Sequence, residues 1–335
     1  MKKSFAIIGC GHIANRHVEH IRNHPLGELV GVYDINTDVL QAFAAKHQVK
    51  AYSSEAELLR AKEVDVVNIC TPNGSHSDIA IRVMEAGKNL VVEKPMAITA
   101  QSALEMEKVA EATGKEMFVV KQNRYNPPVK EVKRLIENGK LGKVLMVSVN
   151  CYWNRNANYY EQSSWRGTKE LDGGTLYTQF SHFVDILYYL FGEIENVNGI
   201  VKNLSHQNLI EFEDSGSFSF EFVEGGMGNF AFTTSAFQKN MEGSITIFSE
   251  NATIKIGGKY LNTIDYQVTD GFDIQDIPIS SPANNYGFYE GSMSNHDKVI
   301  DNVIEVLNGR AKVMTSAKQG RKVVEMIGQF YGCVK

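Results

Sequence analysis

At 335 residues, 43% of them hydrophobic and 22% charged, the chain has the composition of an ordinary globular protein and is too long for one compact core. A formal net charge of -5 argues against a nucleic-acid or membrane-surface partner, and no apolar run is long enough to span a bilayer. Met1-Lys2-Lys3-Ser4 runs straight into a strand-like stretch without room for a secretory leader, so a cytoplasmic location is expected, with Cys10, Cys70, Cys151 and Cys333 as scattered reduced thiols and no metal site.

The first strand, Phe5-Ala6-Ile7-Ile8, runs into Gly9-Cys10-Gly11-His12-Ile13-Ala14, a GxGxxA turn that opens a helix. Gly9 allows the sharp turn, Gly11 lets a backbone approach a pyrophosphate, and Ala14 permits close helix–strand packing. His12 and Ile13 fall at the helix start, where a dinucleotide would lie. The helix carries a crowd of histidines (His12, His17, His20, His24), read as partly exposed helix residues in preference to a metal pair. Leu29–Tyr33 reads as a second strand ending in Asp34, an acid placed to bind the adenosine ribose hydroxyls. Ile35-Asn36 follows without an Arg for a 2′-phosphate, which favours NAD over NADP, and Asn36 joins the expected cofactor contacts.

Helices at Thr37–His47, Ser54–Lys62, Ser77–Ala86 and Thr99–Thr113 alternate with strands at Ala51-Tyr52, Val64–Ile69, Asn89–Val92 and Met117–Val120. This succession predicts a mostly parallel, doubly wound sheet. Its polar strand ends, Gly9, Asp34, Thr71, Glu93 and Asn123, would line one crevice. Thr71-Pro72-Asn73 is a strand-end loop, and His76 after it is a candidate for nicotinamide or substrate contact, with helix capping as the alternative. Val91-Val92-Glu93-Lys94-Pro95 ends a buried strand in a charged pair followed by a proline. A lysine in that place sits where open α/β sheets bind ligands, and Lys94 is the first catalytic candidate.

Pro127-Pro128 breaks the alternation after Gln122-Asn123-Arg124-Tyr125-Asn126 and opens a helix to Asn138. The expected division is 1–123, binding the dinucleotide, and 124–335, binding substrate and mediating oligomerisation. Val144–Trp153 alternates as a strand. Asn154–Lys169 is polar and aromatic, with Arg155, Tyr159-Tyr160 and Trp165-Arg166, and suits stacking on a base and pairing with phosphate or carboxylate. Next, Asp172-Gly173-Gly174 turns into an expected helix on which Thr178, His182 and Asp185, spaced i, i+4 and i+7, share a face. His182 is the second catalytic candidate. Strands are expected at Asn196–Val201, Leu209–Phe212, Ser217–Val223, Gly228–Thr234, Ser244–Ser249 and Thr253–Ile256, forming a large, open, mostly antiparallel sheet. His296–Leu307 and Ala317–Phe330 read as closing helices, with His296 a further site candidate.

Taken together, the glycine turn, Thr71-Pro72-Asn73 with His76, Glu93-Lys94-Pro95, and Gly173-Gly174 with His182 and Asp185 resemble the glucose-fructose oxidoreductase and inositol dehydrogenase (Gfo/Idh/MocA) family across essentially the whole chain. The resemblance implies an N-terminal dinucleotide fold, a C-terminal α+β domain, and NAD-dependent oxidation of a sugar hydroxyl. Gln122–Pro128, Tyr159–Gln162, Trp165–Thr168 and Leu171–Gly174 with Gln179 and Ser181-His182 look like the branch of bacterial UDP-N-acetylglucosaminuronate 3-dehydrogenases, which serve surface-polysaccharide synthesis. That branch implies a nucleotide-sugar substrate held by Lys94, Arg124, Tyr125, Arg155, Arg166, Thr178, Gln179 and His182. It further implies NAD contacts that include Asn123, Trp165 and Arg166, while the open sheet suggests association as a dimer or tetramer. Many relatives carry an Asp where this chain has Thr178, which removes a carboxylate partner for His182. A dehydrogenase of a free sugar or cyclitol is the nearer alternative, and a non-enzymatic dinucleotide-binding regulator the more distant one.

Overall fold

The computed structural model describes residues 1–280, 282–285 and 290–334. In chain order the first elements are β1 (Lys3–Ile8), α1 (His12–Asn23), β2 (Gly27–Tyr33), α2 (Thr37–His47), β3 (Lys50–Ala51), α3 (Glu55–Arg60), β4 (Val66–Ile69), α4 (His76–Glu85), β5 (Asn89–Val92), α5 (Ala100–Thr113) and β6 (Met117–Val119). They continue with α6 (Pro127–Glu137), β7 (Val144–Tyr152), α7 (Ala157–Glu161), α8 (Thr175–Thr178), α9 (Ser181–Phe191), β8 (Ile194–Lys202), β9 (Ser215–Phe222), β10 (Met227–Thr233), β11 (Glu242–Ser249), β12 (Ala252–Gly257) and β13 (Thr263–Thr269). β14 (Ala283–Asn285), β15 (Glu290–Met293), α10 (His296–Leu307) and α11 (Ala317–Gly332) complete the chain. Two compact units result, 1–121 with 296–324, and 122–295 with 325–335.

The first unit holds six parallel strands in the order β3-β2-β1-β4-β5-β6. That is the doubly wound arrangement the alternation predicts, with the order reversing beside β1. β1 is covered on both faces, and Phe5, Ala6, Ile7 and Ile8 are buried. Side-chain caps start the helices: Asn36 Oδ1 accepts from the Asp38 and Val39 amides, Ser54 from Glu57 and Thr99 from Ser102. Each such cap stabilises its helix by about 1 kcal/mol. α10 packs on α1, and the Val119 amide donates to the Thr315 carbonyl at 3.1 Å, so the returning segment closes this unit beyond β6.

The second unit is built on seven strands in the order β13-β12-β11-β7-β10-β9-β8. Every pairing is antiparallel except β7 with β10. One face buries Phe218, Phe220, Phe230 and Phe232 around Phe330 of α11, whose ring lies 4.8 Å from Phe218 and 5.6 Å from Phe230. The same strands expose Leu145, Ile200, Met227, Tyr266 and Val268.

Three expectations are corrected. Leu209–Phe212 is no strand: Ile210 and Phe212 alternate because they pack with Tyr159 and Tyr160 in a separate apolar cluster. β13 was not anticipated. The helix through Thr178, His182 and Asp185 is interrupted, since α8 ends at Thr178 and α9 starts at Ser181. The Thr178 hydroxyl is tied back to Asp172, on its carbonyl at 3.1 Å and on its carboxylate, and Phe180 turns into the core against Trp153 and Phe183. Thr178 therefore shares no helix face with His182.

Gly9 adopts φ +94°, and a Cβ there would lie 2.7 Å from the Cys70 carbonyl carbon and oxygen. A Cβ on Gly11 would meet nothing within 4 Å. Gly9→Ala is expected to cost about 1–3 kcal/mol from backbone strain. Gly11→Ala is expected to stay within about 0.5 kcal/mol of the native stability. Equal denaturation midpoints for the two variants would contradict this.

Candidate active site

At the carboxyl end of β1 the chain makes a cradle for a dinucleotide. Gly11 caps α1 without a side-chain bond, and the first turn carries no acid, so its amides and the positive end of a twelve-residue helix are presented without a competing anion. The space beside Gly11 lets a diphosphate approach the backbone. His12 is exposed and Ile13 half-buried on that first turn. Asp34 is anchored where β2 ends: its two oxygens accept from the Cys10 amide at 2.7 Å and the Asn36 amide at 2.8 Å. Each oxygen keeps lone-pair capacity for a ribose hydroxyl, and the carboxylate would repel a 2′-phosphate. The residues present therefore fit NAD. Asn36, expected at the cofactor, spends its side-chain oxygen on capping α2.

Beyond β5, Glu93 faces inward. Its Oε1 accepts from His17 Nε2 at 2.8 Å and lies 3.4 Å from His296 Nε2, while Oε2 accepts the Lys94 amide at 3.2 Å. His17 Nδ1 accepts from the Asn68 amide at 2.7 Å, which leaves the ring proton on Nε2, directed at Glu93. Burial alone would raise the Glu93 pKa. The hydrogen bond from His17 and the nearness of His296 outweigh it and hold the carboxyl well below its usual range. His17, Glu93 and His296 form the one group of metal-ligand type among the described residues. The Asn68-directed tautomer gives His17 Nε2 a proton in place of a lone pair, so the trio reads as a hydrogen-bonded cluster. Glu93, expected at the cofactor, is thus turned into the fold, while Lys94 beside it is half-buried.

His76 is corrected likewise. It is fully buried, with Nδ1 2.7 Å from the Pro95 carbonyl and Nε2 2.9 Å from the Thr71 carbonyl. It fastens the Thr71-Pro72-Asn73 loop to Lys94-Pro95, whose peptide bond is cis. Ser75 Oγ adds bonds to Thr71 Oγ1 and the Pro72 carbonyl.

In the second unit the single helical turn Gln122–Tyr125 carries three of the expected site residues, Asn123, Arg124 and Tyr125. Arg124 is fully buried and bonds Asp185 bidentately, Nε to Oδ2 at 2.9 Å and an Nη to Oδ1 at 2.8 Å, with its plane over Tyr189. The expectation of Arg124 on substrate, and of Asp185 as a partner for His182, gives way to this pair. Tyr125 is half-buried. Asn123 is buried, and neither its amide oxygen nor its amide nitrogen meets a hydrogen-bonding partner among the described residues. His182, also buried, places Nε2 3.2 Å from Ser292 Oγ and 3.4 Å from Gln122 Nε2.

The aromatic loop forms a second cluster. Arg155 Nε donates to Gln179 Oε1 at 2.6 Å, and Gln179 Nε2 donates to the Tyr159 hydroxyl at 2.7 Å. Arg166 stacks over Tyr159 at 4.3 Å and donates to its carbonyl, with half-buried Trp165 alongside. Beneath them His206 holds the Arg155 carbonyl at 2.7 Å and Asp214 at 3.0 Å. Thus Arg155, Arg166 and Gln179 come together, and Thr178 binds Asp172. A cavity of about 570 Å³ beside β13, lined by Asn262–Gln267 and Ile277–Ser280, contains none of these residues.

Sequence reasoning missed Ser292, His206, Asp172 and the role of His17. For His17 a signal existed, because it shares the buried α1 face with Ala14, Val18 and Ile21 at helical spacing. For Ser292, 110 residues from its partner His182, none did.

Two outcomes follow from these pairings. Asp185→Asn leaves a buried guanidinium uncompensated and is expected to cost about 3–5 kcal/mol, whereas Arg124→Met with Asp185→Leu is expected to lose much less, read by chemical denaturation. Burial lowers the His76 pKa from its ordinary 6.5 despite the raising effect of its two carbonyls. The folded state then binds fewer protons than the unfolded chain, so stability is complete above the unfolded value and declines as pH falls through 6.5 towards the folded one. Melting curves from neutral pH downward should show that decline, with a shallower slope in His76→Gln; an unchanged slope contradicts the assignment.

Residues 3–121 match the GFO_IDH_MocA oxidoreductase family, NAD-binding Rossmann fold, and residues 129–255 match the GFO/IDH/MocA C-terminal domain. The structure is similar, with TM-score 0.89 and 34% identity over 99% of this chain and 96% of that one, to the WlbA dehydrogenase from Bordetella pertussis, solved in complex with NADH and UDP-GlcNAcA. Glucose-6-phosphate 3-dehydrogenase of Bacillus subtilis is 28% identical over 98% of this chain and 95% of that protein. Inositol 2-dehydrogenase of Salmonella typhimurium is 29% identical over 56% of this chain and 54% of that one. The chain belongs to the GFO/IDH/MocA family and is an NAD-dependent oxidoreductase.

Proposed function

We propose that this protein oxidises the C3 hydroxyl of a UDP-linked N-acetylated uronate to the 3-keto sugar nucleotide, in the synthesis of surface-polysaccharide sugars. The observation that carries the reading is the polar layer around His182. Asn123 and Gln122 bring buried amide atoms without a hydrogen-bonding partner among the described residues, and a hydroxyl-rich ligand satisfies such groups. The clustered Arg155 and Arg166, with Tyr159 and Trp165, suit a uronate or diphosphate beside a base. The likeness to a dehydrogenase crystallised with UDP-GlcNAcA runs the full length of the chain.

NAD, when bound, supplies the hydride acceptor. The chain supplies the proton chemistry. His182 is the proposed acceptor of the hydroxyl proton through a ring nitrogen, and Lys94 the proposed cation for charge developing on oxygen. Glu93 holds the Lys94 backbone amide, and His76 holds the carbonyl of Pro95. Exposed apolar side chains on the seven-stranded sheet (Ile200, Met227, Val268) suit association with a second copy of the chain. A second reading, oxidation of a sugar phosphate or a cyclitol, is favoured by the full-length similarity to glucose-6-phosphate 3-dehydrogenase.

Purified protein with NAD is expected to form NADH from UDP-N-acetylglucosaminuronate, and Lys94→Ala is expected to lower kcat by roughly 10²- to 10⁴-fold. NADH formation from glucose 6-phosphate or inositol but not from the nucleotide sugar would select the second reading. Turnover at the native rate in Lys94→Ala would remove the lysine from the chemistry.

A further inference from the structure

His182 meets its neighbours through a chain of donors whose direction can be read. Gln122 Nε2 lies 2.9 Å from Ser292 Oγ, and an amide nitrogen can only donate, so the serine oxygen accepts there. The serine's single proton is then available for His182 Nε2, 3.2 Å away, and the Gln122 amide points at the same nitrogen from 3.4 Å. The Gln122 amide directed at Nε2 requires its lone pair, and the serine hydroxyl, which can donate or accept, donates to match. A neutral His182 held this way carries its proton on Nδ1. Both contacts are longer than an ordinary hydrogen bond, so an incoming substrate hydroxyl at normal distance displaces them at small cost. The Gln122 backbone is held from behind, because Asn295 Nδ2 donates to its main-chain carbonyl at 3.2 Å.

We propose that Ser292 and Gln122 are positioning residues for His182. They hold the ring in the tautomer whose Nε2 is free to take a proton, and they receive that proton's hydrogen bond afterwards by reversing. Gln122 Oε1 is buried and has no hydrogen-bonding partner among the described residues in the present orientation. Turning the amide over brings that oxygen to Nε2–H and satisfies it, while the serine hydroxyl rotates to accept. The proton ledger is simple: the substrate loses one proton to Nε2 and one hydride to NAD, leaving a ketone, NADH and an imidazolium. Neutral groups that adapt to either protonation state thus serve where Thr178 stands in place of a carboxylate. Charged side chains on the surrounding elements are engaged with each other, Arg124 with Asp185 and Glu290 with Lys259. The inference rests on His182 being the base.

The test uses the full-length protein labelled with nitrogen-15 histidine. In the native protein the His182 signals are expected to show the neutral Nδ1–H tautomer. In Ser292→Ala and Gln122→Leu they are expected to move towards the Nε2–H form. With NAD and UDP-N-acetylglucosaminuronate, Ser292→Ala is expected to lose roughly 10- to 100-fold in kcat, part of what a general base contributes, with KM for NAD unchanged and Ser292→Thr restoring most of the loss. Unchanged melting of Ser292→Ala shows that the fold is intact. An Nε2–H tautomer in the native protein overturns the proposal. So does a Ser292→Ala variant with native tautomer and native kcat while His182→Ala is inactive. If His182→Ala itself keeps the native rate, the base assignment falls and this inference falls with it.

Discussion

One buried carboxylate, Glu93, organises the nucleotide-binding unit. Removing such a group from water costs several kcal/mol, and it persists only where partners surround it. Here they come from three distant parts of the chain: His17 from α1, His296 from α10 and the Lys94 amide next door. The bonds join the helix of the glycine turn, the end of β5 and the segment returning from the C-terminus. Lys94 is held at the sheet's carboxyl edge because its neighbour is tied on the opposite side. His76 completes the arrangement from between the carbonyls of Pro95 and Thr71, donating its ring proton to one of them. Placement of the lysine is therefore a property of backbone anchoring.

The second unit solves a related problem with arginine. Arg124 is neutralised by Asp185 in a bidentate pair without exposure, and Arg155 is held by Gln179, Asn154 and Asn240. The first pair is structural and joins the Gln122–Tyr125 turn to α9. The same turn places Gln122 beside His182 and Asn123 with its amide atoms unpartnered among the described residues. In the second cluster a rigid guanidinium sits among Trp153 and Tyr159, a setting suited to an anionic or stacked ligand.

Much of the fold was legible because its signals are local. Buried parallel strands read as continuous apolar runs, glycine turns and side-chain caps mark helix ends, and an acid follows the turn at the interval a ribose requires. Asn89–Val92 and Thr37–His47 have the bounds expected of them. Elsewhere local periodicity misled. The alternation at Leu209–Phe212 is that of any half-buried segment, and only the presence of Tyr159 and Tyr160 beneath it decides that it joins no sheet. The spacing of Thr178, His182 and Asp185 fits one helix, but a side-chain bond from Thr178 back to Asp172 breaks that helix first.

The sequence by itself determined the fold class and the cofactor cradle, and it singled out Lys94 and His182 as candidates. Such features depend on backbone geometry and on residues within a few positions of each other. Only the tertiary structure decided what each polar side chain does. It gave Glu93 to two histidines, Arg124 to Asp185 and His182 to a serine 110 residues away. The reason is physical: a buried polar group must be satisfied by whatever packing brings within about 3 Å, and sequence spacing carries no record of that neighbour.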